Sequence, residues 1–221
     1  AIPDFPAIEP KDDLASSIID AITLAGIEVL DGDILVIASK IVSKAEDLYV
    51  DLDSVQPSEN AQRLAKLVEK DPRLVQIILS ESCEVVRHSP GVLIVEHRLG
   101  YIMANAGVDA SNLAKSSSGH ERVLLLPRNP DATCVRFRNK FEAAFSHNIG
   151  VIISDSVGRA WRNGSIGMAL GVAGPPALWD RVGDKDLYDR PLGVTEVGFA
   201  DQVASAAALV MGEGNEGLPV I

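Results

Sequence analysis

The chain has 221 residues, of which 47% are hydrophobic and 23% charged, and its formal net charge is −11 at pH 7. That length buries a sizeable core, and the acidic balance excludes a general nucleic-acid binder, which would present a basic face. Apolar runs such as Ile34 to Ala38 and Val123 to Leu126 are far too short to span a membrane. The opening AIPDFPAIEPKDD lacks a basic flank and an apolar signal core, so a cytoplasmic protein is expected.

Leu14, Ile18, Ile22 and Ala25 recur every three or four residues between Asp12 or Asp13 and Gly26, which predicts an amphipathic helix. Asp31-Gly32-Asp33 turns the chain into the continuous apolar run Ile34 to Ala38, predicted as a buried strand. Ser58 is placed to cap a helix carrying Ala61, Leu64, Ala65 and Val68. Asp71-Pro72 starts the next, with Leu74, Val75 and Ile78 inward. Glu84 to Arg87, Val92 to Glu96 and Tyr101 to Asn105, separated by turn residues, predict an antiparallel meander. Further strands are expected at Val123 to Leu126, Val151 to Ser154 and Thr195 to Phe199. Helices are expected from Pro130 to Phe145, with Val135, Phe141 and Phe145 apolar, and from Ala200 to Met211. The pattern is that of a mixed α/β or α+β architecture, read as a single domain over residues 1–221, with Arg128 as the place where two subdomains would divide.

Cys83 and Cys134 lie far apart with no CxxC, and both are expected to be buried free thiols. His88, His97, His120 and His147 form no HxxxH or HExxH pattern and are assigned to no metal.

Four stretches carry chemistry. In Ala104-Asn105-Ala106-Gly107-Val108-Asp109-Ala110-Ser111-Asn112, small residues let a backbone approach a ligand, Asp109 offers a hard carboxylate for Mg²⁺ or Mn²⁺, and Asn112 offers an amide. The alternative is a turn in which Asp and Asn satisfy their own backbone. In the run from Ile153 to Gly164, Asp155 stands at the expected exit of a buried strand, Ser156 adds a hydroxyl, and Arg159 and Arg162 can clamp phosphate or carboxylate oxygens. A solvated arginine loop is the alternative there. Ser39, Lys40, Ser43 and Lys44 follow the Ile34 strand and could cradle phosphates, although no P-loop pattern precedes them; two exposed lysines are the plainer reading. The glycine-rich run from Met211 to Pro219 carries Glu213 and Glu216; Gly212 could simply end a helix and Glu213 could ligate a metal. Gly167, Gly171 and Gly174 are read as close-packing or bend positions, and no GxGxxG is present.

In this order the stretches resemble the coenzyme F-420:L-glutamate ligase (F-420-0:gamma-glutamyl ligase) family. The matching pieces are FPAIEPKDDL, GDILVIASKIVSKAE, KDPRLVQIILSES, ANAGVDASN, VLLLPRNPDA, VIISDSVGRAWRNGSIGMALGVAG and ADQVASAAALVMGEG. The resemblance implies a GTP-dependent ligase that adds L-glutamate through γ-glutamyl links to the deazaflavin coenzyme. It implies a homodimer with the family's own mixed α/β fold, two divalent ions (Mg²⁺ or Mn²⁺) and K⁺ as a further candidate ion. Carried over by motif, Asp109, Asp155, Ser156 and Glu213 are expected as metal ligands. Phe5, Pro6, Ala7, Ile8, Ser39, Lys40, Lys44, Asn112, Met211, Gly212, Glu213, Gly214, Asn215, Glu216, Gly217 and Leu218 are expected as GTP contacts. Lys40 and Lys44 would supply fixed positive charge, and Arg159 and Arg162 would hold the coenzyme's phosphodiester or carboxylates. Lys11 stands where the family commonly has Gly, Ser156 where it commonly has Thr, and the family continues beyond Val220-Ile221. Two other functions fit the same residues: an amide ligase acting on another carboxylate-bearing cofactor, and a non-catalytic nucleotide-binding regulator.

Overall fold

A computed structural model of the chain describes residues 1–111, 113, 119 and 121–221. Its first helix, α1 (Leu14–Leu24), is capped by Asp13, whose side chain accepts from the Ser16 N–H, and it buries Leu14, Ala15, Ile18 and Ile22. The chain leaves it through Gly26 at φ +64°, a left-handed turn that glycine makes without a Cβ penalty. Strand β1 (Ile34–Ala38) runs with no intervening loop into helix α2 (Ser39–Ala45), which the apolar pattern does not signal. Strand β2 (Tyr49–Asp51) follows, then helices α3 (Glu59–Val68) and α4 (Pro72–Ser80). Ser58 caps α3 by accepting from the Ala61 N–H, and Asp71 caps α4 by accepting from the Arg73 N–H, both as the sequence predicts.

Strands β3 (Ser82–Ser89), β4 (Val92–His97) and β5 (Ile102–Ala104) form the expected antiparallel meander. Its inner face buries Leu93 and Val95 in the core shared with α3 and α4, and Met103 in the core shared with α1 and α5; Val92 and Ile102 are exposed on the other. Strand β6 (Arg122–Leu124) pairs antiparallel with β2, and helix α5 (Pro130–Phe145) follows. Strands β7 (Gly150–Arg159) and β8 (Arg162–Ala173) make a long hairpin. Two short strands, β9 (Trp179–Asp180) and β10 (Glu196–Val197), pair with each other before helix α6 (Phe199–Met211).

The central sheet has the order β1-β7-β8, with β1 parallel and β8 antiparallel to β7. Alternation along β7 sends Val151 and Ile153 to the core shared with α1 and α5, and Ile152 to the core shared with α6, so helices cover both faces. The outer edge of β1 is completed by the C-terminal residues. Val36 and Ile221 exchange N–H···O bonds of 2.8 and 2.9 Å, and the Ala38 N–H donates to the Pro219 carbonyl at 2.9 Å. The Ile2 N–H donates to the Val220 carbonyl at 3.0 Å, which lays the two ends of the chain side by side. Among the described residues no helix is long and apolar enough to cross a membrane.

Several expectations need correction. Asp155 does not stand at the exit of β7, because the ladder with β8 continues through Asp155↔Met168 to Arg159↔Arg162; the expected loop is a hairpin. It is the neighbouring strand β1 that stops at this level, where Ala38 pairs with Ser154. The strand expected over Thr195 to Phe199 shrinks to Glu196–Val197, and Phe199 already belongs to α6. The strand expected to reach Leu126 ends at Leu124. Cys134 is buried but Cys83 is exposed, on the meander's first strand. Val135 lies on the outer side of α5, which turns Cys134, Phe137 and Phe141 inward.

Gly167 and Gly171 are close-packing positions, as their spacing suggests. A Cβ at Gly171 would stand 2.4 Å from the Pro130 carbonyl carbon at the start of α5, and one at Gly167 2.3 Å from the Ala204 carbonyl oxygen of α6. Backbone cannot give way as a side chain can. Gly171→Ala is therefore expected to destabilise the fold by about 1–3 kcal/mol, the usual scale of overpacking, measured as a lowered urea midpoint with unchanged slope.

His97 is fully buried, and its Nδ1 accepts from the Leu99 N–H at 3.0 Å. The neutral ring therefore carries its proton on Nε2, which lies 3.7 Å from a Glu81 oxygen and has no hydrogen-bond partner among the described residues. Burial holds this imidazole below its ordinary pKa of 6.5, and the opposing pull of the Glu81 charge does not overcome it. The unfolded chain then takes up the proton first. The stability from a neutral His97 is complete above pH 6.5 and is lost as pH falls through that value towards the folded pKa. Denaturant midpoints should fall on acidification across this window, and His97→Gln should flatten the dependence. An unchanged slope in the variant would show that other groups set it.

Candidate functional site

Five separated stretches meet where β1 ends. Residues 5–8 reach this place because Ile2 is tied to the sheet edge, and residues 211–218 because Pro219 to Ile221 is tied to the same edge. Helix α2 begins here, and β7 passes on beyond β1. The turn that follows β5, with Ala106 in the left-handed region at φ 54°, closes another side. Between them lies an open cleft of about 610 Å³, within the range of small-molecule sites. Its walls contain Phe5 to Ile8, Ser39, Lys40, Lys44, Asp109, Asp155, Ser156 and residues 211–218, so nearly all the expected contacts converge. Asn112 lies outside the described residues. Arg159 and Arg162 do not line the cleft; they stand at the exposed β7–β8 tip, where Arg159 donates to the Asn163 carbonyl at 3.2 Å.

The floor of the cleft is a charge network. Lys40 Nζ stands 2.8 Å from Asp109 Oδ2 and donates to Ser111 Oγ at 2.9 Å. Ser111 returns its backbone N–H to Asp109 Oδ1 at 2.7 Å and its hydroxyl to Oδ2 at 3.0 Å. Burial works to raise the Asp109 pKa, but the bonds from Lys40 and Ser111 outweigh it and hold the carboxyl below its usual range. The Asp109 backbone is itself fixed, exchanging two bonds with Leu124 at 3.0 and 2.8 Å.

Asp155 is placed differently. Its carboxylate accepts from the Ser39 hydroxyl at 3.2 Å, across the end of β1, and from the Ser156 N–H. Burial, with the charge of Asp109 adding to it, pushes its pKa up to about 6 despite these bonds. Lys44 is held below its ordinary value, first by burial and then by the charge of Lys40. The lysines read alternatively as merely exposed are thus half-buried in a site that already concentrates charge.

The last wall is the glycine-rich loop. Gly212 takes φ +74°, a backbone conformation that favours glycine, and the Glu216 carboxyl group folds back against it. Glu216 accepts from the Gly214 N–H at 2.8 Å, and Glu213 accepts from the Ser165 hydroxyl at 3.2 Å, which links the loop to β8. Among the described residues, no three His, Cys, Asp or Glu side chains close into a cation cage. Sequence reasoning gave Ser111 no role, although the spacing Asp109-x-Ser111 is that of an Asx turn. It read Gly167 only as a packing position, while that residue also lines the cleft, and it missed Ala208 of α6.

The F420-0:Gamma-glutamyl ligase family model matches residues 4–221. The coenzyme F420:L-glutamate ligase of Methanocaldococcus jannaschii is 46% identical over 198 residues, covering 90% of this chain and 77% of that protein. The enzyme of the same name from Methanothermobacter thermautotrophicus is 42% identical over 98% of this chain and 84% of its own. That of Archaeoglobus fulgidus is 39% identical over 98% and 83%. A match of this extent, over residues that build the fold and the cleft alike, makes the chain a member of the F420-0:gamma-glutamyl ligase family.

Proposed function

We propose that this protein joins L-glutamate to the deazaflavin coenzyme F420 through γ-glutamyl links, using GTP. The observation that carries the reading is the convergence of Lys40, Lys44, Asp109, Asp155 and a glycine-rich loop on one cleft. A carboxylate and an amine do not condense unaided near neutral pH. The γ-phosphoryl group of GTP passes to a carboxylate oxygen of the coenzyme, breaking the bond to GDP. The glutamate amine then attacks the acyl carbon, the C–N bond forms, phosphate leaves and the amine gives up a proton. Lys40 and Lys44 offer fixed charge to the phosphates, and the loop from Met211 to Leu218 offers backbone N–H groups. The reading brings with it a cytoplasmic location.

The residues fit a divalent cation. Asp155 is a sunken carboxylate whose pKa is raised to about 6 by burial, with the charge of Asp109 adding to the effect and that of Lys40 offsetting it only in part. A hard cation prefers such oxygen ligands. Asp109 and Asp155, with Ser156 and Glu213, would hold Mg²⁺ or Mn²⁺, which would neutralise phosphate oxygens when bound. One incubation with coenzyme, GTP, Mn²⁺ and glutamate, read by mass spectrometry, tests the activity: a mass increase of one or more glutamyl units is expected. Absence of that product with GTP still bound would favour the nucleotide-binding regulator.

Asp109→Asn and Asp155→Asn should each keep the circular dichroism of the parent and lower turnover by at least about 100-fold, the scale of losing a preorganised electrostatic contact. Near-normal rates in both at low Mn²⁺ would sink the ligand assignment.

A homodimer belongs to the same proposal. The outer face of the meander presents Val92 and Ile102 to solvent beside the half-buried Ile94, an apolar face that a two-fold copy would cover. Ile94→Asp is expected to lower the sedimentation coefficient and the activity together; a wild type that is fully active as a monomer at micromolar concentration would refute it.

A further inference from the structure

The tip of the β7–β8 hairpin carries a side chain that the fold does not use. Trp161 is 98% exposed, and its backbone takes φ 63°. A bulky residue enters the left-handed region at a cost that glycine or asparagine at the same turn would avoid. Neither packing nor turn geometry therefore accounts for tryptophan here. Its neighbours in the turn are Arg159 and Arg162, both with exposed side chains, and Arg159 donates to the Asn163 carbonyl. On a chain of net charge −11 this is a local cationic spot with an aromatic plane at its centre.

The tip is also the direct continuation of the cleft. Asp155, Ser156, Val157 and Gly158 line the cleft in succession, and Arg159 is the next residue. At roughly 3.3 Å per strand residue, the start of the turn lies about 13 Å along β7 from Asp155. Resting on the ligase reading above, the acceptor must place one carboxylate beside the phosphates. Its planar deazaflavin ring then lies well outside, at the other end of a phosphodiester-bearing side chain.

We infer that Trp161 is the stacking platform for the deazaflavin ring of the acceptor, with Arg159 and Arg162 meeting its phosphodiester. Aromatic faces take planar heterocycles with little regard to ring substituents, and adjacent guanidinium groups complement an anion. Trp161 binds and orients; it touches no reacting atom.

The test has a binding arm and a kinetic arm. The protein has two tryptophans, so Trp179→Phe leaves Trp161 as the only tryptophan, and titrating it with the coenzyme should saturably quench the tryptophan emission excited at the red edge of its absorption, where tyrosine absorbs little. Trp161→Ala should raise the KM for the coenzyme by about tenfold or more, the scale of one lost stacking contact, and leave the KM for GTP and glutamate unchanged. Trp161→Phe should restore most of that loss, and both variants should sediment as the wild type. An unchanged coenzyme KM, a parallel rise in all three KM values, or altered sedimentation of Trp161→Ala would overturn the platform, the last by assigning Trp161 to a contact between chains. If the wild type forms no glutamylated product, the ligase reading fails instead. The titration then decides alone: saturable quenching keeps the platform and its absence removes it.

Discussion

The edge of strand β1 is the constraint on which the rest depends. β1 is parallel to β7 on one side and hydrogen-bonded to residues 219–221 on the other, so a five-residue strand is buried between two remote parts of the chain. The pairing at Val36 and Ala38 fixes where the glycine-rich loop must return, and the bond from Ile2 to Val220 fixes where residues 5–8 must pass. Because α2 starts at the residue after β1, Ser39 and Lys40 are held at the sheet's end. The cleft is thus a product of backbone pairing, and its side chains inherit their positions from it.

Within that frame, two carboxylates of the same type acquire different characters. Asp109 is surrounded by donors, with Lys40 and Ser111 both reaching it, and stays ionised. Asp155 receives one hydroxyl and one backbone N–H, lies deeper, and is pushed towards neutrality. Environment, more than residue identity, separates them. Removing Lys40 would therefore alter both groups, since it pairs with one and its charge reaches the other.

Much of this was legible in the sequence wherever a local rule was at work. Ser58 and Asp71 are caps because a short polar side chain beside an apolar periodic run has few other uses. The run Ile34 to Ala38 reads as buried because it contains no polar residue. The cleft residues were legible as separate motifs, and their order along the chain pointed to the family, but no local pattern shows that residues 5–8 and 211–218 share a wall. The long hairpin was hidden for a physical reason. The run from Asp155 to Gly164 is polar and glycine-rich, which reads as loop, while the pairing that makes it strand comes from β8. Helix α2 was hidden because seven residues are too few for a periodicity to declare itself. Cys83 was misplaced because the apolar residues around it belong to a sheet with one open face.

The sheet edge has a temporal side as well. The chain emerges from synthesis in order, and β1 appears early, while its partners at residues 150–154 and 219–221 follow more than half the chain later. The meander, with α3 and α4, has most of its partners close by in sequence and can pack while β1 still waits. During that interval Ile34 to Ala38 is an unpaired apolar strand with both edges open, the kind of segment that pairs with the wrong chain if left exposed. Rapid assembly of the β7–β8 hairpin shortens the interval, which ties the yield of correctly folded protein to an element far from β1 in sequence.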